Sequence, residues 1–245
     1  MSNRDVDKVL LFRGDISPFL VHLTRDTDND ARTNLENILN TQQLEYKNNS
    51  FSDARFGYPQ ERIETVGHRF FSAVSFTETP INEIHNLLEI ANRQVELRPY
   101  GLVFLKDKLK IKGVSPVLYL NNFNADKITL VKALCSLIDT APDRAEQILP
   151  YISVFGKKLL PIKGTRVHDD IDFTWEREWR FSSRTHSFDF NYDDVFVGLC
   201  PHNEIDDFEA SFPPLLFIDP IRNMKWYAEK LVDARQKSNL KYSVV

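Results

Sequence analysis

Glycine is scarce in this chain, with 8 among 245 residues, and cysteine is scarcer still, with 2. So little glycine excludes collagen-like and glycine-rich chains, and no glycine-rich turn joins an early strand to a helix, which disfavours a doubly wound dinucleotide fold. The two cysteines, Cys135 and Cys200, stand far apart, so a reducing cytoplasm is the expected compartment. Long apolar runs are missing as well. The stretch Leu215 to Ile218 falls far short of the roughly 18 to 20 residues that cross a bilayer, and the opening MSNRDVDK is too polar for a signal peptide. No membrane association is expected. Nor does one sign of charge prevail: 31 basic against 35 acidic residues leave −4, so any nucleic-acid contact must come from a local patch. No 20- to 50-residue period recurs, which disfavours solenoids and propellers.

What the chain has in quantity is phenylalanine, 18 residues in a composition 42% hydrophobic and 27% charged. That mixture predicts a soluble globular protein with a dense aromatic core, read as one α+β domain over residues 1–245. Strand-like runs fall at Pro18 to Leu23, Phe70 to Phe76, Gly101 to Leu105, Pro116 to Leu120, Trp179 to Ser183, Val195 to Leu199 and Leu215 to Ile218. Helical periodicity places Leu35, Ile38 and Leu39 after Asp30 and Thr33. It also places Ile81 to Val95 after a Thr79 cap, with Pro80 at the first helical position. Two more amphipathic segments carry Ile128 to Ile138, and Ile221 to Leu231 after Asp219-Pro220. The stretch from Gly156 to Asp172 reads as an exposed loop.

Three short stretches place polar side chains where chemistry could use them. In Pro18-Phe-Leu-Val-His-Leu-Thr24, period two sets His22 on the face of Leu20 and Thr24. In Val74-Ser-Phe-Thr-Glu-Thr-Pro80, Ser75 and Thr77 share a face, and Glu78 lies opposite, where it complements the dipole of the following helix. In Trp175-Glu-Arg-Glu-Trp-Arg-Phe181, an extended chain puts Glu176, Glu178 and Arg180 on one side, and the arginine favours ionised carboxylates. Each has a plain structural reading too: a hydrogen-bonded core histidine, a helix cap, a charged strand face. Cys200-Pro-His202 has no second ligand pair to complete a zinc site, so no metal is expected. Glu64 and His68 lack the second histidine of a zinc protease helix, and Ser72 and Ser75 lack the glycine-flanked elbow of an α/β-hydrolase.

The ordered series Phe19-Leu-Val-His-Leu-Thr24, Asn34-Leu-Glu-Asn-Ile38, Val74 to Pro80, Tyr100-Gly-Leu-Val-Phe-Leu-Lys106, Pro116-Val-Leu-Tyr119 and Glu176-Arg-Glu-Trp-Arg180 resembles the AbiGi family of bacterial abortive infection. Its opening also looks like the start of DarT-type toxins of the ADP-ribosyltransferase-like superfamily. The resemblance implies a split two-sheet core with flanking helices that grips NAD as substrate. His22, Thr24, Asn34, Ser75 and Thr77 would then line the cofactor, and Glu178, with Glu176 and Arg180, would carry catalysis. In that reading Glu178 holds the ribose 2′-OH and steadies the oxocarbenium-like sugar as the nicotinamide bond breaks. His22 holds the adenosine-side ribose and Ser75 supports the glutamate. The chain departs from DarT-type toxins in having no tyrosine on the middle strand.

The implied activity is an NAD-dependent ADP-ribosyltransferase toxin in a toxin–antitoxin or anti-phage setting, restrained by an antitoxin partner and acting on DNA or RNA. Lys157, Lys158, Lys163 and Arg166, with Phe155 and Phe173, would form a nucleic-acid rim by charge and stacking. The resemblance carries a second implication from another class, because AbiGi proteins are themselves labelled antitoxins. On that reading the chain is a non-catalytic member of the same fold, acting as antitoxin or phage sensor through protein contacts.

Overall fold

The computed structural model describes residues 16–46, 70, 72–90, 96–121, 128–157, 170–172, 174–183, 187–238 and 240. The strands in chain order are β1 (Phe19–Leu23), β2 (Gln43–Glu45), β3 (Val74–Thr77), β4 (Gly101–Leu105), β5 (Ser115–Pro116) and β6 (Leu118–Asn121). They continue with β7 (Ile152–Lys157), β8 (Asp170–Ile171), β9 (Glu178–Phe181), β10 (Ser187–Asp189), β11 (Val195–Leu199) and β12 (Phe217–Ile218). The α-helices are α1 (Ala31–Thr41), α2 (Ile84–Leu88), α3 (Lys106–Ile111), α4 (Ile128–Thr140), α5 (Pro142–Ile148), α6 (Ile205–Ser211) and α7 (Ala228–Lys237). The architecture is mixed α+β, as the alternation of periods in the sequence implies. Among the described residues no helix is long and apolar enough to cross a membrane.

The chain divides into two compact units. The first gathers Met1–Gln43, Phe76–Lys112 and Asp189–Val245, and the second gathers Leu44–Ser75 and Gly113–Phe188. In the first unit the strands run in the order β12-β11-β4-β1, and Val21 of β1 also pairs with Thr77 at the end of β3. β1 is antiparallel to β4, with Phe19 opposite Leu105 and Leu23 opposite Gly101. β4 is antiparallel to β11, and β11 is parallel to β12. Every residue of β4 and β11 is buried. That is why Gly101 to Leu105 and Val195 to Leu199 read as unbroken apolar runs rather than as alternations. Their two glycines have steric reasons: a Cβ at Gly101 would collide with the His22 carbonyl, and one at Gly198 with the Phe217 ring.

Helix α1 begins where the sequence predicts. The Asp30 carboxylate accepts from Thr33 N–H at 2.8 Å, and the helix ends at Gln42 in the left-handed region, φ 52°. Pro80 lies one position earlier than expected. It precedes a 3₁₀ turn at Ile81–Glu83 that continues into α2, and the Thr79 hydroxyl lies 2.8 Å from that of Thr77 instead of capping the helix. The segment after Asp219-Pro220 is not one helix from Ile221 onward. The Asp219 carboxylate takes the Ile221 N–H and the Asn223 side chain takes the Lys225 N–H, so the chain makes a turn and then a 3₁₀ turn at Met224–Tyr227 before α7.

In the second unit β6 and β7 are parallel, joined by a crossover that contains α4 and α5, and β8 lies antiparallel to β7. Leu120, Cys135, Ile138, Ala145, Leu149, Ile152 and Val154 form the core beneath that crossover together with Phe70. Each fully buried aliphatic side chain there contributes roughly 1.5–3 kcal/mol relative to exposure. The run expected as one strand from Pro116 to Leu120 is two strands. Pro116 pairs with Trp179 of β9 and the Val117 N–H still bonds the Glu178 carbonyl, but from Leu118 onward the chain pairs with β7 instead. The strand expected from Phe70 starts at Val74. β10 pairs with β2 as a two-stranded ribbon.

Candidate functional site

Polar groups of the second unit converge on β9. Arg177, at φ 46°, breaks the extended chain, so Glu176 belongs to a 3₁₀ turn at Thr174–Glu176 and the strand begins only at Glu178. The expectation that Glu176, Glu178 and Arg180 share one strand face is corrected here: only Glu178 and Arg180 stand at strand spacing, because a left-handed residue cannot continue the pleat. Arg180 donates from Nε to Glu178 Oε1 at 2.9 Å and from Nη2 to Oε2 at 2.8 Å, a bidentate pair. Its Nη1 donates to the carbonyls of Pro150 and Ile152 at 2.9 and 3.1 Å. The two side chains are 5% and 12% exposed. The Glu178 N–H donates to the Tyr119 hydroxyl at 2.8 Å, and burial raises the phenol of Tyr119 above its ordinary pKa. The cluster ties β9 to β6 and to the entrance of β7.

The proposed cofactor residues of the first unit are engaged with the backbone around them. The Thr24 hydroxyl is buried within hydrogen-bonding distance of two carbonyls, Ala31 at 3.1 Å and Tyr100 at 3.2 Å. Asn34 Nδ2 donates to the Arg25 carbonyl at 2.9 Å and is within reach of Thr27 Oγ1 and the Asn29 carbonyl, so it braces the turn before α1. His22 is half-buried on β1 with its ring edge-on to Phe76, centroids 5.8 Å apart. Thr77 is half-buried on β3, and Ser75, also half-buried on that strand, falls in the second unit. Lys157 ends β7 opposite Asp170, while Lys158, Lys163 and Arg166 lie outside the described residues.

Two clusters have no local signal in the sequence. Glu78 is buried and paired to Lys106 at 2.9 Å, so its partner is a lysine at the start of α3 rather than the dipole of the following helix. Glu204 accepts from the Tyr100 hydroxyl at 2.8 Å on Oε1, while its buried Oε2 lies 3.6 Å from Arg32 Nε without a hydrogen bond. Arg32 also donates to Glu36 at 3.1 Å and stands 5.6 Å over the Phe208 ring. Burial, followed by the Glu204 contact, pushes the Tyr100 phenol far above its ordinary value. Burial likewise pushes the thiols of Cys135 and Cys200 up to about 12, which leaves both inert as nucleophiles near neutral pH. Glu78 and Lys106 stand 28 positions apart in the chain, and Arg32 and Glu204 come from separate elements, so only the folded chain brings either pair together.

Against known proteins, the family model described as abortive phage resistance protein AbiGi, antitoxin, matches residues 45–195, more than half of the chain. No curated protein and no solved structure matches it. The match agrees with the abortive-infection and toxin–antitoxin setting drawn from the ordered motifs. It overturns the expected activity, because an antitoxin is the restraining member of such a pair: the reading as an ADP-ribosyltransferase toxin held in check by an antitoxin is withdrawn.

Proposed function

Because this chain belongs to the AbiGi family of abortive phage resistance antitoxins, we propose that it restrains a toxin protein in the cytoplasm by direct contact. The scaffold for that contact is a non-catalytic ADP-ribosyltransferase-like core. The family match over residues 45–195 carries the reading. The scaffold part draws support from the mixed α+β architecture and from the opening motifs, His22-Leu-Thr24 and Asn34 to Ile38, which resemble the start of DarT-type chains. The non-catalytic part draws support from Glu178, whose two carboxylate oxygens both accept from the one buried guanidinium of Arg180. A carboxylate so held acts as a strut between strands, since turning it toward a sugar would strand a buried arginine.

The test is co-expression of the full chain with its toxin in a bacterial host. Growth is expected to be restored by the wild type, and less fully by Glu178→Gln, whose amide keeps one acceptor oxygen for Arg180 but sets an NH2 group against its other donor. Expression of the chain alone is expected to be benign. Loss of growth on expression of the chain alone, relieved by Glu178→Gln, would refute the reading.

A further inference from the structure

We propose that the turn Ile221 to Trp226 of the first unit is the surface on which the toxin docks, and that the toxin meets it with a carboxylate-rimmed apolar recess. This inference rests on the antitoxin reading above. Its foundation is an anchored turn whose Ile221 and Trp226 side chains are exposed among the described residues. Asp219, 7% exposed, anchors the turn by accepting from the Ile221 N–H at 2.9 Å and the His202 N–H at 3.1 Å. Asn223 caps the next turn through the Lys225 N–H at 3.0 Å. Tyr227, 4% exposed, plugs the turn into the unit, its hydroxyl 3.1 Å from His202 Nδ1. On this base Ile221 is 60% and Trp226 73% exposed. The Arg222 guanidinium lies 5.5 Å over the Trp226 ring, which holds two groups in one pose.

Charge says what covers these side chains. From Ile221 to Tyr227 the sequence holds two cations, Arg222 and Lys225, and no acidic residue, in a chain whose net charge is −4. Among the described residues Arg222 has one carboxylate within 4 Å, that of Asp219 at 3.9 Å, which already accepts two backbone N–H groups. The complement of such a surface is acidic at its rim and apolar at its centre, and tryptophan and arginine are both residue types enriched among binding hot spots. Two cations are too few to track a phosphate backbone, so a protein face is favoured over nucleic acid.

The experiment titrates the full chain with the purified toxin that it neutralises in co-expression, for wild type, Trp226→Ala and Arg222→Glu, and follows amide exchange of residues 221–227 with and without toxin. Each variant is expected to bind about thirtyfold more weakly, the ratio that corresponds to a hot-spot loss of about 2 kcal/mol. Exchange at 221–227 is expected to slow in the complex. Wild-type affinity is expected to fall with added salt, and less steeply for Arg222→Glu. Both positions are exposed, so the unfolding midpoint should stay at the wild-type value. Unchanged affinity of both variants, or unprotected amides at 221–227, would overturn the docking surface while leaving a neutralising wild type as an antitoxin. If the two substitutions instead abolish binding of an RNA or DNA oligonucleotide and spare the toxin, the protein face is likewise wrong. A wild type that neutralises no toxin takes down both readings together.

Discussion

Two glutamates, one in each unit, meet the same pair of residue types with different results. In the second unit Glu178 faces Arg180 two positions along one strand, and Tyr119 receives its N–H. In the first unit Glu204 faces Tyr100 and Arg32, which come from separate parts of the chain. The strand pair is bidentate because the pleat sets the spacing of both side chains in advance. Among the described residues the assembled trio has one good hydrogen bond and one buried oxygen without any, since Arg32 spends its Nε on Glu36. Arg180 is 5% exposed and Arg32 is 43% exposed, so water can compensate a fault at Arg32 and cannot at Arg180.

Three substitutions sharpen or break that contrast. Arg180→Met is expected to lower stability most, by about 3–5 kcal/mol, since it leaves a buried carboxylate and two carbonyls without their donor; urea unfolding reads this out, and pairing it with Glu178→Leu should restore much of the loss. A cost below 1 kcal/mol, on the order expected of a surface pair, would erase the distinction between the clusters. Next comes Tyr100→Phe, which removes the only hydrogen bond to Glu204 seen among the described residues and should cost about 1–2 kcal/mol. Arg32→Met should cost less than either, about 0–1 kcal/mol, and less again in high salt.

The thiols test the units separately. Cys135 in the second unit and Cys200 in the first are both buried with pKa values pushed up to about 12. Alkylation near pH 8 should therefore be slow at both and should accelerate only when the unit that holds the thiol opens. Quantifying each site by peptide mass spectrometry under mild urea with Arg180→Met should show Cys135 labelling first. Equal acceleration at both would mean that the units open together.

The smallest effect belongs to Asp26. Its carboxyl is held below the ordinary value by a hydrogen bond from Arg98 at 2.7 Å, and further by the Ala31 N–H. A depressed carboxyl contributes stability that is complete above its unfolded pKa of roughly 3.9 and is lost as pH falls through its lower folded value. Asp26→Asn should thus remove a small contribution that is present above about pH 4 and absent in stronger acid, and so flatten the acid limb of the stability profile. A change at neutral pH larger than that of Arg32→Met would show that this exposed pair does more than its setting suggests.

How much of this was legible beforehand depends on whether the cause was local. β4 and β11 match the predicted runs residue for residue, because unbroken apolar pentapeptides bounded by polar residues have few other homes. The Asp30 cap was visible for the same reason. What escaped was set by distant partners. Val117 switches the chain from β9 to β7, Arg177 turns left-handed just before the strand, and Asp219 and Asn223 divert backbone donors from a helix. At the candidate site, alternation correctly joined Glu178 to Arg180. It could not reveal that the arginine also donates to two carbonyls, of Pro150 and Ile152.

The first unit is stitched from three stretches of chain and the second from two, in interleaved order. No single cut separates them, and during synthesis the first cannot close until β11 has left the ribosome to pair with β4. A message broken late therefore releases a product whose central sheet lacks an inner strand, and such a fragment would be a substrate for proteolysis rather than a shortened but working protein.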